Sequence, residues 1–344
     1  MLLLPFFTVA VPQFWRITGR ERIAEALKNY IPDTIIIIAA LAFYTMHGYY
    51  VGFLRPETQT VMLYLALAYI ILAFPLYTFY PFKDPHVSKG RAVFTGIIRY
   101  FRERDFGKRE KIIALFILVK FFYIPLMLNF VFDNAFWMNS NIINISQPLQ
   151  RTPEAMMIDY VYPFSLALLF FIDTAFFAFG YLVEADFLKN RVRSVEPTFL
   201  GWAVTLLTYP PFNSVYSQFF PWVANDFVHA GEYTLWLRIC VIVLIVIYVW
   251  ASVALGAKAS NLTNRGIVGK GPYKYIRHPA YASKNAAWWL SVLPVLSFGS
   301  FVSMAAWSFL YYLRAVTEER HLSQDHDYVE YKNNVKYMFV PRLF

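Results

Sequence analysis

Leu235-Trp236-Leu237-Arg238-Ile239-Cys240-Val241-Ile242-Val243-Leu244-Ile245-Val246-Ile247-Tyr248-Val249-Trp250-Ala251-Ser252-Val253-Ala254-Leu255 is an apolar run interrupted by one charge, Arg238. About 20 apolar residues are what a helix needs to cross the hydrocarbon core of a bilayer. A second run of the same character extends from Ile35 to Leu54. Outward from these two, apolar stretches recur, and spans are expected near 34–54, 61–82, 112–132, 160–183, 199–221, 235–256, 280–297 and 300–316, the fifth interrupted by Pro210-Pro211. The composition agrees: of 344 residues 58% are hydrophobic and 15% charged, against a charged share of about 25% in an ordinary soluble domain. The expected fold is all-α, a polytopic integral membrane protein with about eight transmembrane helices.

Loop charge sets the orientation. The chain carries 31 Lys and Arg against 22 Asp and Glu, an excess that in a membrane protein belongs to cytoplasmic loops rather than to nucleic-acid binding. Nine Lys and Arg lie between Lys83 and Lys111, and five between Lys258 and Arg277; segment 133–159 has only Arg151, and 222–234 has none. Lys189, Arg191 and Arg193 mark 184–198, and Arg320, Lys332, Lys336 and Arg342 mark the C-terminal tail. Eight spans place all the basic segments on one side, so both termini are expected in the cytoplasm, in the cell's inner (plasma) membrane or, in a eukaryote, the endoplasmic reticulum. Met1-Leu2-Leu3-Leu4-Pro5 reads as an interfacial anchor rather than a signal peptide. The chain ends Pro341-Arg342-Leu343-Phe344, without a prenylation box. A single cysteine, Cys240, excludes an intramolecular disulfide and a cysteine metal site.

Two regions follow from the change in composition: a transmembrane scaffold over 1–198 and a functional module over 199–344. In the module a helical hairpin, 280–297 and 300–316, is expected to turn at Phe298-Gly299-Ser300 and to carry a cytoplasmic cofactor pocket. Gly271-Pro272-Tyr273-Lys274-Tyr275-Ile276-Arg277-His278-Pro279-Ala280-Tyr281 stands at the hairpin's entrance. Pro279 suits the first turn of a helix, whose free amides, beside Arg277, suit a carboxylate or phosphate; the competing reading is that Arg277 and Lys274 anchor the helix among lipid headgroups. At the exit stands Thr317-Glu318-Glu319-Arg320-His321-Leu322. Two adjacent carboxylates at a membrane boundary call for a cation, which Arg277, Lys284 or a bound ligand supplies. An anion site facing paired carboxylates matches a zwitterion with an extra positive charge, the description of S-adenosylmethionine.

These residues together resemble the isoprenylcysteine carboxyl methyltransferase family and its phospholipid N-methyltransferase relatives, over about 255–344. The resemblance implies that Arg277, His278, Pro279, Tyr281, Glu318 and Glu319 line a cofactor pocket, with Tyr273 and Leu322 beside them, and that Arg277, Glu318 and Glu319 serve catalysis. In this sequence Tyr328-Val329-Glu330-Tyr331 follows Gln324-Asp325-His326-Asp327, closer to Leu322 than the family's tyrosine pair usually lies. The ending Tyr337-Met338-Phe339-Val340-Pro341 is also similar to that of membrane sterol reductases.

Lys120 and Asp173 sit in the third and fourth expected spans, and as intramembrane ions they are expected to pair or to mark a substrate path. Pro210-Pro211 frees backbone carbonyls, which makes Tyr209 and Asn213 candidate acceptor-site residues. The loop acids Glu184, Asp186 and Glu196 are expected to be solvated. His321, His326, Asp325 and Asp327 lack the two-histidine helical spacing of a zinc site, and no metal is expected. The expected function is methyl transfer from S-adenosylmethionine to a lipidic or membrane-bound acceptor, a carboxylate or an amine. The alternatives are a nicotinamide-dependent membrane reductase and a non-enzymatic transporter or lipid-binding protein.

Overall fold

The computed structural model describes residues 19–79, 87–146, 152–224 and 229–341. The expected anchor at 1–5, Lys83, Arg151 and the terminal 342–344 lie outside the described residues. The helices are α1 (Gly19–Met46), α2 (Gly48–Phe53), α3 (Pro56–Phe79), α4 (Lys89–Glu103), α5 (Lys108–Ser146), α6 (Pro153–Met156), α7 (Tyr162–Leu182), α8 (Phe199–Leu206), α9 (Asn213–Phe219), α10 (Thr234–Leu255), α11 (Pro279–Val292), α12 (Phe298–Leu322) and α13 (His326–Asn334).

Among the described residues, five helical stretches are long and apolar enough to cross a membrane: Gly19–Met46, Pro56–Phe79, Lys108–Ser146, Pro153–Leu182 and Gly231–Lys258. They take up five of the eight expected spans. The other three differ for visible reasons. Segment 199–221 is two short helices, α8 and α9, separated where Pro210-Pro211 removes amide donors from a helical ladder. Helix α11 has 14 residues, roughly 21 Å of helix against a hydrocarbon core of about 30 Å. Helix α12 has 25 residues, but Arg314, Glu318, Glu319 and Arg320 break its apolar character. The hairpin also reverses earlier than expected. Ser297 caps α12, its hydroxyl accepting from Ser300 N while Ser300 Oγ accepts from Ser297 N, so Phe298-Gly299-Ser300 form the first helical turn.

The chain divides into two compact units, Met1–Phe132 with Ala178–Ser194, and Asp133–Phe177 with Val195–Phe344.

In the first unit α1 and α3 pack through Ala26, Tyr69, Ala73 and Tyr77. Asp33, buried on α1, accepts from Tyr69 Oη (2.9 Å), Tyr77 Oη, Ser88 Oγ (3.0 Å) and Gly90 N (2.6 Å), which fastens the start of α4. A Cβ at Gly90 would fall 2.1 Å from Asp33 Oδ1, so glycine is required there. Lys120 does not pair with Asp173. Its ammonium lies 3.5 Å from Glu184 Oε2, which Lys89 also engages. Glu184 is thus buried among cations rather than solvated, because a cation inside an apolar helix draws the nearest carboxylate inward. Asp186 remains at the surface, paired with Arg191.

In the second unit α7, α10 and α11 share a core of Tyr162, Leu166, Val241, Ile245, Val249 and Ala287. Asp173 accepts from Tyr248 Oη (2.5 Å) and from Ser252 Oγ on α10. Lys284, 4.7 Å from the Tyr248 ring centroid, is the cation on that side. Helices α11 and α12 are joined by Asn285 and Trp289, each donating to Ser308 Oγ at 3.0 Å, and α8 meets α12 through Val204, Trp307 and Leu310.

Candidate functional site

The entrance motif is folded by glycine and by the C-terminal segment. Gly271 takes φ +60°, and a Cβ there would lie 3.1 Å from the Ala254 side chain, so only glycine turns the chain so close to α10. Arg277 N and His278 N then donate to Tyr337 O (2.9 Å) and Met338 O (3.0 Å). Pro279 opens α11 as expected. The amides of Arg277 and His278, just before the helix, are therefore occupied by the C-terminal segment.

Arg277 itself is engaged throughout. Its Nε donates to Glu319 Oε1 at 2.6 Å, and its Nη1 donates to Val335 O (2.9 Å) and Lys336 O (2.5 Å). Lys332 Nζ holds the other carboxylate oxygen of Glu319 at 2.8 Å. Nε2 of the buried His278 stands 3.3 Å from Glu319 Oε1, off the line of a good hydrogen bond. Burial alone would raise the Glu319 pKa, but His278, Arg277 and Lys332 outweigh it and hold the carboxyl well below the usual carboxylate range. This cluster ties α11, α12, α13 and the C-terminal segment together. Tyr331 adds a bond from its hydroxyl to Tyr273 O at 2.8 Å. Burial, with the Glu318 charge second, raises the Tyr273 hydroxyl above its ordinary value.

Glu318 points elsewhere. Neighbouring helical residues are turned about 100° apart, and Glu318 accepts from Tyr281 Oη at 2.8 Å at the wall of a cavity shared with Glu196, Asn261, Arg314, His321 and Leu322. Arg314 stands one turn before Glu318 on the same face of α12. It is buried, donates to Thr208 Oγ1 at 3.0 Å and to Asn261 Oδ1, and lies 5.3 Å from the Tyr209 ring and 5.2 Å from the Tyr281 ring. Asn261 Nδ2 donates to Tyr209 Oη at 3.2 Å, so the expected acceptor residue Tyr209 adjoins the cavity. Asn213, at the start of α9, is not among the lining residues, and neither are Lys120 and Asp173.

Glu196, expected to be solvated, is 2% exposed. Arg320 Nη2 and Thr198 N each donate to it at 3.0 Å, and it packs so tightly on Gly201 that a Cβ there would meet Glu196 Cγ at 2.4 Å. Burial lowers the His321 pKa, against the opposing pull of Glu196 and Glu318. Among the described residues no group of three or more His, Cys, Asp or Glu is placed to hold a metal ion.

The structure thus separates the expected set. Tyr281, Glu318 and Leu322 face the cavity; Arg277, His278 and Glu319 form the cluster behind it. Arg314, Asn261, Glu196 and His321 were not among the expected pocket residues. Arg314 carried a readable signal: it is an arginine inside the eighth expected span, one helical turn from Glu318. Asn261 and Glu196 reach the cavity from loops, and no sequence spacing announces them.

Residues 233–324 match the family model of the isoprenylcysteine carboxyl methyltransferase (ICMT) family, in agreement with the resemblance carried by 271–281 and 318–322. That family comprises membrane methyltransferases. Among curated proteins and among solved structures there is no match to this chain.

Proposed function

We propose that the chain is an S-adenosylmethionine-dependent methyltransferase acting on a lipidic or membrane-embedded acceptor, with its site in the cavity lined by α8, α12, the loop 260–263 and Tyr281. The observation that supports this best is that Glu318 and Arg314, both within the family-matched segment, line one cavity from the same face of α12. A carboxylate and a guanidinium one turn apart suit a ligand that carries an ammonium, a carboxylate and a sulfonium. When bound, S-adenosylmethionine supplies an electrophilic methyl group.

Arg314 is the residue to hold a carboxylate, its guanidinium being fixed by Thr208 and Asn261 and shielded by Tyr209 and Tyr281. Glu318, oriented by Tyr281, is the residue to hold a cation or to take the proton of an amine acceptor. A carboxylate acceptor needs no such base. Alignment of acceptor and methyl group supplies most of the rate in a displacement of this kind. Arg277 and Glu319 act as positioning residues, holding α11, α12 and the C-terminal segment around the cavity. The five basic residues of 258–277 support a cytoplasmic position for this end of the module.

The test is calorimetric titration of S-adenosylmethionine, and separately of a phosphorylated nicotinamide cofactor, into wild type, Glu318→Gln and Arg314→Lys. Wild type should bind S-adenosylmethionine. Loss of one charge-assisted contact, roughly 1.5–3 kcal/mol, weakens affinity by about 10- to 150-fold in each variant. Binding of the nicotinamide alone would assign a reductase; binding of neither by folded protein would assign a non-enzymatic role.

A further inference from the structure

Helix α4, in the first unit and outside the family-matched segment, has 15 residues. It is too short to cross a bilayer, since about 20 are needed. Its small residues face inward: Ala92 is buried, and a Cβ at Gly96 would meet Phe106 Cε2 and Glu110 Cβ at 2.9 Å. That edge therefore packs against the beginning of α5. The opposite edge is apolar and open, with Ile97 43%, Ile98 63%, Tyr100 43% and Phe101 74% exposed. On the helical wheel these four, with Val93 and Phe94, occupy about half of the circumference.

Beside that edge lies a cluster of cations. Arg102, Arg104, Lys108, Arg109 and Lys111 are all exposed, and none has an ion-pair partner among the described residues. Arg99 differs, its guanidinium being answered by Glu110 at 3.2 Å and Asp105 at 3.5 Å. Three of the free cations stand on the first turn of α5, one of the helices long and apolar enough to cross the membrane. Gly96 packs on Glu110, so the C-terminal half of α4, which carries the open face, lies beside the turn at which α5 would enter a bilayer. An apolar face at that level, flanked by unneutralised cations, is complementary to the boundary between acyl chains and anionic headgroups.

We propose that α4 is a membrane-surface docking element: Ile97, Ile98 and Phe101 bed into the acyl boundary, while Arg102, Arg104, Lys108, Arg109 and Lys111 bind anionic phospholipid headgroups. The reading is independent of the methyltransferase assignment, since it concerns none of the cavity residues.

The test uses the full chain in a Cys240→Ser background, reconstituted in vesicles of phosphatidylcholine mixed equally with phosphatidylglycerol. Spin labels are placed at Ile98→Cys, Phe101→Cys and, on the polar face, Thr95→Cys. Labels at 98 and 101 should be accessible to oxygen and shielded from a water-soluble nickel chelate, and the label at 95 the reverse. Equal chelate access at all three sites would place the helix in water. Shielding of 98 and 101 from both reagents would mean that a protein covers the face, and either result overturns the proposal. In the second arm, native mass spectrometry counts bound phosphatidylglycerol against phosphatidylcholine. Each of Arg102→Gln, Arg104→Gln and Lys108→Gln should reduce the preference about fivefold, and Arg102→Lys with Arg104→Lys should retain it. An unchanged ratio in the triple glutamine variant would refute headgroup binding.

Discussion

Replacing Glu319 by Gln should damage stability, and replacing Glu318 by Gln should damage ligand binding, although the two carboxylates are neighbours in sequence. The Arg277 side chain is 8% exposed and that of Glu319 is 9% exposed, so the neutral amide leaves a guanidinium in a site that water does not reach. Breaking a buried pair on one side costs about 3–5 kcal/mol. The contact with Lys332 adds little, because the lysine side chain is 43% exposed and such pairs contribute about 0–1 kcal/mol. At an unfolding entropy of about 2.1 cal/mol/K per residue, a loss of that size lowers the melting temperature of a chain this long by roughly 4–7 °C. The assay is a thermal melt in detergent, followed across pH. The folded Glu319 pKa is depressed, so the stability it contributes is present above the ordinary carboxylate range and is lost as pH falls toward the folded value. Wild type should therefore lose stability on acidification in a range where Glu319→Gln has less to lose. If Glu319→Gln melts like wild type and fails only in S-adenosylmethionine binding, then Glu319 touches the ligand and the division of roles is wrong.

Two further outcomes follow from contacts in the fold. In double-mutant cycles read by thermal melts, Lys120→Met and Glu184→Gln should show a coupling of about 0.5–3 kcal/mol, whereas Lys120→Met and Asp173→Asn should simply add, because Lys120 lies against Glu184 and Asp173 against Tyr248 and Ser252. Gly201→Ala should cost about 1–3 kcal/mol by overpacking, since its Cβ would fall 2.4 Å from Glu196 Cγ; a melt unchanged from wild type would show that Glu196 is free to move.

Long apolar helices were legible because their signal is local. Leu235 to Leu255 becomes α10 almost residue for residue, whereas Ile35 to Leu54 is divided at His47 between the end of α1 and the short α2. Length in sequence is a weaker guide to length of helix. The apolar stretch at 280–297 holds a helix that ends at Val292, where Leu293-Pro294-Val295 tighten into a 3-10 turn, and the stretch at 199–221 is divided at its two prolines. Partner choice for intramembrane ions was not legible at all. Lys120 and Asp173 are each the natural complement of the other by composition, yet which carboxylate meets Lys120 depends on the chain bringing Glu184 back beside α5, and no spacing encodes that return.

At the site, both expected segments, 271–281 and 318–322, are found, but the contacts of their charged residues differ from those the sequence suggests. Arg277 reads as an anion-binding residue because it precedes a helix start, and an unpaired arginine there would be one. In the structure its guanidinium is instead taken up by Glu319, 42 residues later, and by the carbonyls of Val335 and Lys336. Once α12 continues to Leu322, helical geometry forces a choice: the face that carries Glu319 toward Arg277 turns Glu318 toward Arg314. A carboxylate at either position would satisfy the motif, but only the one that shares its face with a buried arginine stands in a cavity. The spacing Arg314 to Glu318 is thus the part of the pattern on which the proposed function rests, and the adjacent pair Glu318-Glu319 faces two neighbours on different sides of one helix.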